Sequence, residues 1–550
     1  MIILHGTIQS KKDYKIMAEN KNHNQALLTL VIVFFFWGFI AASNSIFIPF
    51  CKTHFNLSQF ESQLIGSAFY GAYFIGSLVL FLCSNLIGYD ILNKIGYKKG
   101  IIYGLWISVI GALLIIPAAN TNSFPAILAA FFVVALGFSL QQTAAQPFAI
   151  LLGDPATGSH RLNLGGSLNS IGTTIGPLIV SFFLFGSPDA RNSIVTVTNI
   201  NVLYLIVAGV FAAVAIFFTV SKNLPDGKND EKFETANKAA GSLLIMTLLI
   251  GAFIVVGQLT NVPKLNLLVF TLLTVIGILF YSNNSAIKND IGWGAMKYPQ
   301  LIYGMIAIFI YVGVEVTIDN NFGALLKNPG YITELGLDES EISKYISLYW
   351  GSLMIGRWTG AISVFNLKGN MKKFMMIVVP FIAFAVVLGV SKIYGNDISD
   401  LYGYALWIVI ALVAFFYGQE KPVKTLFIVS IFATIAMLIG VFTNGITSVY
   451  AFMAGGLACS VMWPCIFSLG VGGLGKYTSQ GSAFLIMMIL GGAIIPPLQG
   501  VLGDNASIGM HQSYLLAAVC FAILALLALK LKSVLKKQGL DFDAQVAGGH

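Results

Sequence analysis

Long apolar runs recur along the whole chain and constrain its fold more than any other feature of the sequence. A helix needs about 18 to 25 mainly apolar residues to cross the hydrocarbon core of a bilayer. Sixteen runs fit, near residues 26–50, 62–88, 100–118, 124–152, 162–186, 200–221, 241–259, 265–282, 298–325, 342–366, 373–391, 401–418, 425–445, 449–470, 481–503 and 512–531. Because backbone polar groups in lipid must be paired within their own segment, the runs predict an all-α, polytopic membrane protein.

The charged residues are few and unevenly placed. Only 10% of the residues are charged and 57% are hydrophobic, too few charges to cover the surface of a soluble domain. The net charge of +8 does not indicate a nucleic-acid partner, because lysines and arginines concentrate in alternate connecting segments, such as the one with Lys94, Lys98 and Lys99. The positive-inside bias predicts a multi-pass membrane protein with both termini in the cytoplasm.

Two distant stretches, 141–177 and 459–496, share one layout. Each holds a proline, a glycine six residues later, a basic polar loop and a Gly-rich span that ends at another proline. These residues are Pro147, Gly153 and Pro177 in the first stretch, and Pro464, Gly470 and Pro496 in the second. Such an internal repeat in an apolar chain predicts a transporter made of two similar halves, with its site between them.

Several kinds of chemistry lack their motifs. The chain has no phosphate-binding loop of the G-x-x-x-x-G-K-[ST] type, no H-E-x-x-H pair, and five cysteines without a C-x-x-C spacing. These patterns would indicate ATP hydrolysis, a zinc site or redox chemistry. We therefore predict a protein that is not an enzyme and that needs no cofactor or metal, with a proton or sodium gradient as the energy source.

Polar residues within the spans are costly in lipid and mark candidate binding positions. Gln142 and Gln146 lie four residues apart on one predicted helix, so they share a face. Amides together with aromatic rings suit a monosaccharide, whose hydroxyls donate and accept hydrogen bonds. The alternative is that these amides are interhelical contacts without a ligand. The predicted sugar-binding residues are Trp37, Asn44, Gln142, Gln146, Asn169 and Trp463.

Two carboxylates, Glu315 and Asp319, lie one helical turn apart within an apolar span. A desolvated carboxylate can exchange a proton or hold a sodium ion, so both residues are candidates for ion coupling. Two alternatives remain open: Glu315 forms a structural bridge or gate with Arg357 or Lys344, and Asp319 lies near the outer surface.

Seven segments resemble the fucose/glucose–galactose permease branch of the major facilitator superfamily. They are FWGFIAASNSIFIPF (36–50), FYGAYFIGSL (69–78), QTAAQPFAILLG (142–153), RLNLGGSLNSIGTTIGP (161–177), YVGVEVTI (311–318), YISLYWGSLMIGRWTGA (345–361) and GGLGKYTSQGS (472–482). The resemblance implies two six-helix bundles, a central sugar site, alternating access and cation symport. It also implies a gating contact for Arg357, for which an arginine snorkelling to the membrane surface is the alternative.

The chain departs from that branch at positions that matter for coupling. Ser45 and Gln142 stand where the branch carries acids, and neither residue can titrate. Gln146 replaces the usual asparagine, Gly166 replaces a glutamine, and Asn93 occupies the acidic place of the superfamily's first loop motif. These departures leave the identity of the sugar open.

The predicted organisation is a tail (1–24), a six-helix bundle (25–221), a linker with an inserted hairpin (222–296), a second bundle (297–532) and a tail (533–550). The inserted hairpins are expected at 241–282 and about 371–420. We predict a monomer in the lipid bilayer that imports a hexose or deoxyhexose of the glucose, galactose or fucose type. The alternatives are an uncoupled facilitator of the same fold and a non-transporting nutrient sensor.

Overall fold

The computed structural model describes residues 23–56, 59–121, 123–154, 157–185, 196–228, 234–327, 331, 342–365, 367, 369–418 and 421–542. Within these ranges the side chains at 23–24, 40–50, 52–53, 59–64, 177–178, 180–185 and 342–343 lie outside the description. The described residues form helices and contain no strand, which confirms the all-α class.

The long helices of the first part of the chain follow one another with short connections. They are α1 (His23–His54), α2 (Gln59–Ile87), α3 (Tyr97–Asn120), α4 (Phe124–Leu151), α5 (Gly158–Phe185), α6 (Val197–Val220), α7 (Asn237–Leu259) and α8 (Lys264–Lys288). Side-chain caps fix several starts: the Ser123 hydroxyl accepts from the backbone of Ala126 in α4, and Thr196 forms a capping box with Asn199 in α6. Such caps satisfy backbone N–H groups that a helix leaves unpaired.

The second part continues in the same way. It contains α9 (Pro299–Leu326), α10 (Ile342–Ala361), α11 (Gly369–Ile393), α12 (Ala405–Gly418), α13 (Pro422–Phe442), α14 (Gly445–Val471), α15 (Thr478–Met487, a 3₁₀ turn at Met488–Leu490, then Gly491–Gly503) and α16 (Leu515–Lys537). Prolines occupy the first positions of α9 and α13, where a missing N–H costs nothing.

Thirteen helices of the described chain are long and apolar enough to cross a membrane. The other long helices are α1, whose described apolar part is Gln25–Phe39, together with α5 and α10. The described apolar part of α1 is too short to count as a crossing, and polar residues lower the hydropathy of α10 and of the described part of α5. Thirteen crossings are thus supported by length and composition, while the predicted number of sixteen also needs α1, α5 and α10 and stays a prediction.

The helices of the two halves pack in matching pairs. In the first half α3 packs on α4 and α6, α1 on α5, and α2 on α4; in the second α13 packs on α14 and α16, α9 on α15, and α10 on α14. Each first-half helix therefore has a counterpart, and α4 and α5 correspond to α14 and α15. The two sequence stretches that share a layout lie on these corresponding helices.

Two helix pairs fall outside this correspondence. Helices α7 and α8 pack on each other and reach α2, α9 and α15, while α11 packs on α10 and α12 packs on α13 and α14. Both pairs expose large apolar side chains, such as Leu248, Phe270, Phe374 and Leu406, as lipid-facing helices do. The two pairs lie where the sequence predicts inserted hairpins.

The halves meet through α2 with α15 and through α5 with α10. Several contacts between the halves lie at the end of the bundle that holds residues 88–96, 221–228, 234–236 and 472–477, which we call the linker end. There the Asn93 amide donates to the Lys476 carbonyl at 3.4 Å, and the Ser479 hydroxyl donates to Asp90 at 3.0 Å. The halves are therefore in contact at the linker end.

Glycines allow the closest helix contacts in both halves. A Cβ atom at Gly38 of α1 would lie 1.9 Å from the Asn169 carbonyl oxygen of α5, and one at Gly491 of α15 would lie 1.8 Å from the Phe309 carbonyl oxygen of α9. No side chain fits at such distances, so the two backbones pack directly, as small residues permit in membranes. The α1–α5 contact fixes the position of Asn169. The α9–α15 contact fixes the position of α9, which carries Glu315.

Membrane topology can be tested at the α7–α8 pair. An even number of crossings keeps the chain on the same side, so a reporter fused after Asn223 and one fused after Asn289 should both report the cytoplasm. Paired alkaline phosphatase and fluorescent-protein fusions at these sites measure this. Opposite locations would contradict the hairpin.

Candidate functional site

Glu315 lies inside the second half, where α9 meets α10. Its carboxylate accepts a hydrogen bond of 2.8 Å from the Tyr311 hydroxyl and lies 3.7 Å from the Arg357 guanidinium. The side chains of Glu315 and Arg357 are only 12% and 17% exposed. A charged pair with so little water needs further hydrogen bonds to offset its desolvation, and Tyr311 supplies one of them.

Arg357 also reaches across to the first half. Its guanidinium donates to the Ser170 hydroxyl at 3.1 Å and to the Asn169 amide oxygen at 3.4 Å, both on α5. The Ser167 hydroxyl donates to the Arg357 carbonyl at 2.9 Å. One guanidinium thus joins a carboxylate of α9 to polar side chains of α5. Of the two partners considered for Glu315, the structure shows Arg357.

Gly166 makes room for this arginine. A Cβ atom at Gly166 would lie 3.1 Å from Cδ of Arg357, a distance at which the arginine stem has to shift. The glutamine implied at this position by the resemblance would occupy the space of that stem. The absence of a long amide side chain at position 166 therefore leaves the space through which Arg357 reaches α5.

Two of the predicted sugar ligands, Gln146 and Trp463, carry a buried polar atom without a partner in the described part of the chain. Gln146 is 5% exposed, and within the described part of the chain its amide oxygen has no hydrogen-bond partner. The indole N–H of Trp463, on α14, is likewise buried and unpaired there. Buried polar atoms without a partner are uncommon and costly, so these two groups are an acceptor and a donor suited to a ligand. The Trp463 ring stacks on Phe467, with ring centroids 5.9 Å apart.

Other predicted ligands already have partners within the protein. The Trp37 indole is 4% exposed and donates to the Gln141 amide at 2.7 Å. Gln142 donates to the Tyr73 hydroxyl at 2.9 Å, and Asn169 donates to the Phe34 carbonyl at 3.1 Å. These contacts are of the kind expected if the amides join helices without binding a ligand. A side chain can nevertheless contact another helix and also bind a ligand. Asn44 lies in α1, with its side chain outside the description.

Asp319 and Lys344 bond to residues other than Glu315 and Arg357. Asp319 accepts from the Trp350 indole at 2.9 Å on a partly exposed surface. Lys344 is 3% exposed and pairs at 2.9 Å with Asp400, in the connection between α11 and α12. Lys344 therefore does not bridge to Glu315, and it fastens α10 to the added helices.

Some residues of the site went unnoticed in the sequence. Tyr311 could have been found, since it precedes Glu315 by one helical turn and so shares its face. Ser170 carries no signal beyond its position next to Asn169. Asn163 lines a small cavity between α5, α10, α13, α14 and the added helices, and its buried amide oxygen has no partner among the described residues. A single asparagine in a span gives no warning of such a cavity.

Across the described ranges no group of three or more histidine, cysteine or acidic side chains could hold a metal ion. The Glu315 carboxylate has the Tyr311 hydroxyl and the Arg357 guanidinium beside it.

The fold and sequence have recognised relatives. A glucose/galactose transporter of Brucella abortus is 29% identical over 508 residues, covering 92% of this chain and 94% of that protein. An L-fucose-proton symporter of Escherichia coli is 24% identical over 505 residues, 91% of each chain. The crystal structure of an E. coli fucose:proton symporter superposes with a TM-score of 0.61 at 22% identity, covering 93% of this chain and 99% of that one.

The family follows from a match to a family model. The sequence model described as Major Facilitator Superfamily matches residues 27–422, which is more than half of the chain and runs from within α1 to the end of α12. The chain is a multi-pass membrane protein that belongs to the Major Facilitator Superfamily.

Proposed function

We propose that the protein imports a hexose or deoxyhexose across the bacterial inner membrane by symport with a proton or a sodium ion. The names of the relatives, a glucose/galactose transporter and an L-fucose-proton symporter, support this substrate class. The observation that carries the proposal is the Arg357 guanidinium, which is shared between Glu315 of one half and Asn169 and Ser170 of the other.

This sharing ties the charge of Glu315 to the contact between the halves. While Glu315 is ionised, Arg357 has its countercharge within its own half and can leave α5 without becoming an unpaired buried charge. When Glu315 binds a cation, the guanidinium depends on the neutral side chains of α5. Ion binding thus changes how strongly Arg357 holds the two halves together, which is what a coupled carrier requires.

The sugar is proposed to bind between the halves. The Gln146 oxygen accepts from one sugar hydroxyl, the Trp463 indole donates to another, and the Trp463 ring covers the apolar face of the sugar. Asn169, Gln142, Asn44 and Trp37 complete the proposed lining. Ligand and ion then lie close to the same helices, α5, α9 and α14.

The boundaries of the parts are proposals as well. We assign 25–221 and 297–532 to the two bundles, with 241–282 and about 371–420 as added hairpins and 1–24 and 533–550 as cytoplasmic tails. The linker end then faces the cytoplasm, and the protein acts as a monomer.

An uncoupled facilitator is the second candidate. It is favoured by Ser45 and Gln142, which are neutral where the resembling permeases carry acids, and by the hydrogen bond of Gln142 to Tyr73, which is a structural contact. Under this alternative the Glu315–Arg357 pair is a structural bridge or gate only.

Transport by the purified protein in proteoliposomes separates these functions. Labelled glucose, galactose and fucose are each offered under a proton gradient, a sodium gradient and no gradient. We expect one of the sugars to accumulate above its outside concentration under one of the gradients. Equilibration without accumulation would establish the facilitator, and no entry of any sugar would overturn transport in favour of a nutrient sensor.

A further inference from the structure

The start of α7 and the segment that follows α8 are hydrogen-bonded to each other at the linker end. The backbone N–H groups of Lys238 and Ala239 donate to the Gly292 carbonyl at 2.9 and 3.3 Å. Residues 234–239, which lead into α7, therefore lie against residues 292–295, which follow α8. We call these two segments together the strap.

The strap is bonded to the first half through one residue. The side-chain oxygen of Asn85, near the end of α2, accepts from the backbone of Ala236 at 2.6 Å. The Asn85 amide nitrogen donates to the Asn237 side chain at 2.8 Å. A single asparagine thus uses both its acceptor and its donor to hold the strap on α2.

The strap is bonded to the second half through three residues. The Glu234 carboxylate accepts from the Lys476 ammonium at 2.5 Å and also from the Tyr477 hydroxyl. On the other segment the backbone of Ala295 donates to the Gln480 amide oxygen at 2.5 Å. Lys476, Tyr477 and Gln480 lie at the start of α15, the helix that meets α2 across the interface.

We propose that the strap is a latch that holds α2 and α15 together and so keeps the linker end closed. Other contacts between the halves near this end are the hydrogen bonds of Asp90 with Ser479 and of Asn93 with Lys476, and the ring contact of Phe81 in α2 with Phe484 in α15, whose centroids are 4.7 Å apart. The strap is hydrogen-bonded both to α2 and to the start of α15, so it joins the two helices through a further segment. In this proposal the added helices α7 and α8 position the halves relative to each other, a role that goes beyond binding sugar or ion.

The charge state of the latch is stable near neutral pH. The Lys476 ammonium and the Tyr477 hydroxyl hold the pKa of the Glu234 carboxyl below its ordinary value. The side chains of Glu234 and Lys476 are 52% and 30% exposed, so their ion pair is screened by water and contributes modestly. With the tyrosine bond included, loss of the carboxylate should raise the ratio of open to closed linker end about three- to tenfold.

The test measures the opening of the linker end directly, without sugar. With the five native cysteines replaced, spin labels are placed at Lys99→Cys and Lys536→Cys, exposed positions of the two halves at this end. Pulsed electron resonance in nanodiscs gives the distribution of distances between the labels. We expect Glu234→Gln to raise the share of longer distances, so that the ratio of open to closed linker end increases about three- to tenfold.

Two further variants make the result decisive. Asp226→Asn removes a carboxylate from the same linker. Asp226 pairs at 3.9 Å with Lys228 of that linker, so this change should leave the distances unchanged. Asn85→Ala cuts the other side of the strap and should give the same shift as Glu234→Gln. The latch is overturned if neither Glu234→Gln nor Asn85→Ala changes the distances, or if Asp226→Asn changes them equally. Since no sugar or ion gradient is involved, a failure here is distinct from a failure of transport.

Discussion

Replacing Glu315 by glutamine should abolish accumulation of sugar while leaving exchange across the vesicle membrane intact. Glutamine has nearly the same shape and can still meet Tyr311, but it cannot bind and release a cation. With one proton per sugar, the parent protein should accumulate sugar up to about tenfold per pH unit of imposed gradient. The variant should stop at equal concentrations inside and outside. Uptake and counterflow of labelled sugar in proteoliposomes measure both quantities.

Asp319→Asn is the matched control for this change. Asp319 lies one turn further along α9 and bonds to Trp350 at a partly exposed surface, so its loss should leave accumulation unchanged. If Glu315→Gln still concentrates sugar under a proton or sodium gradient, the assignment of coupling to Glu315 is wrong. If accumulation is lost only in Asp319→Asn, coupling belongs to Asp319.

Replacing Gln146 by leucine should weaken sugar binding about five- to a hundredfold without weakening the fold. The amide oxygen of Gln146 has no partner in the described protein, so leucine removes no internal contact of that oxygen. In the complex, the sugar hydroxyl that it pairs with would be left buried and unsatisfied, which costs roughly 1 to 3 kcal/mol. Titration of Trp fluorescence with sugar and the melting temperature of the detergent-solubilised protein measure the two effects.

Gln141→Leu should show the opposite pattern. Gln141 is fully buried, accepts from the Trp37 indole and donates to the Ser108 hydroxyl at 3.1 Å, so its loss leaves an unpaired buried indole. We expect a lower melting temperature in this variant and little direct effect on affinity. Equal affinity of Gln146→Leu and the parent protein would move the sugar site away from α4.

Much of the fold could be predicted because lipid leaves the backbone few choices. Apolar runs of sufficient length become helices, and the repeated layout at 141–177 and 459–496 lies on helices that correspond in packing. The number of crossings is less secure, because the described apolar part of α1 is short and α5 and α10 carry polar residues that lower the hydropathy of their described parts. Those same residues, such as Asn169 and Arg357, are the ones that line the contact between the halves.

The partners of the polar residues could not be read from the sequence. Residue type and spacing placed Gln142 and Gln146 on one helix face, but only the packing shows that Gln142 meets Tyr73 while the Gln146 oxygen meets no partner in the described chain. The pairing of Arg357 with both Glu315 and α5 depends on Gly166, which looked like a lost ligand in the sequence. Long-range contacts of this kind depend on helix rotation, which hydropathy does not determine.

The pair of Lys344 with Asp400 has a consequence for the surrounding lipid. Asp400 also accepts from the Tyr345 hydroxyl, so the connection between α11 and α12 is fixed to the start of α10. Any tilt of α10, which carries Arg357, must carry those two helices through the membrane with it. A wider tilting body deforms more of the bilayer around it, and each ångström of mismatch in hydrophobic thickness has an energy cost. The acyl-chain length of the host membrane therefore enters the energy difference between the two orientations of the carrier.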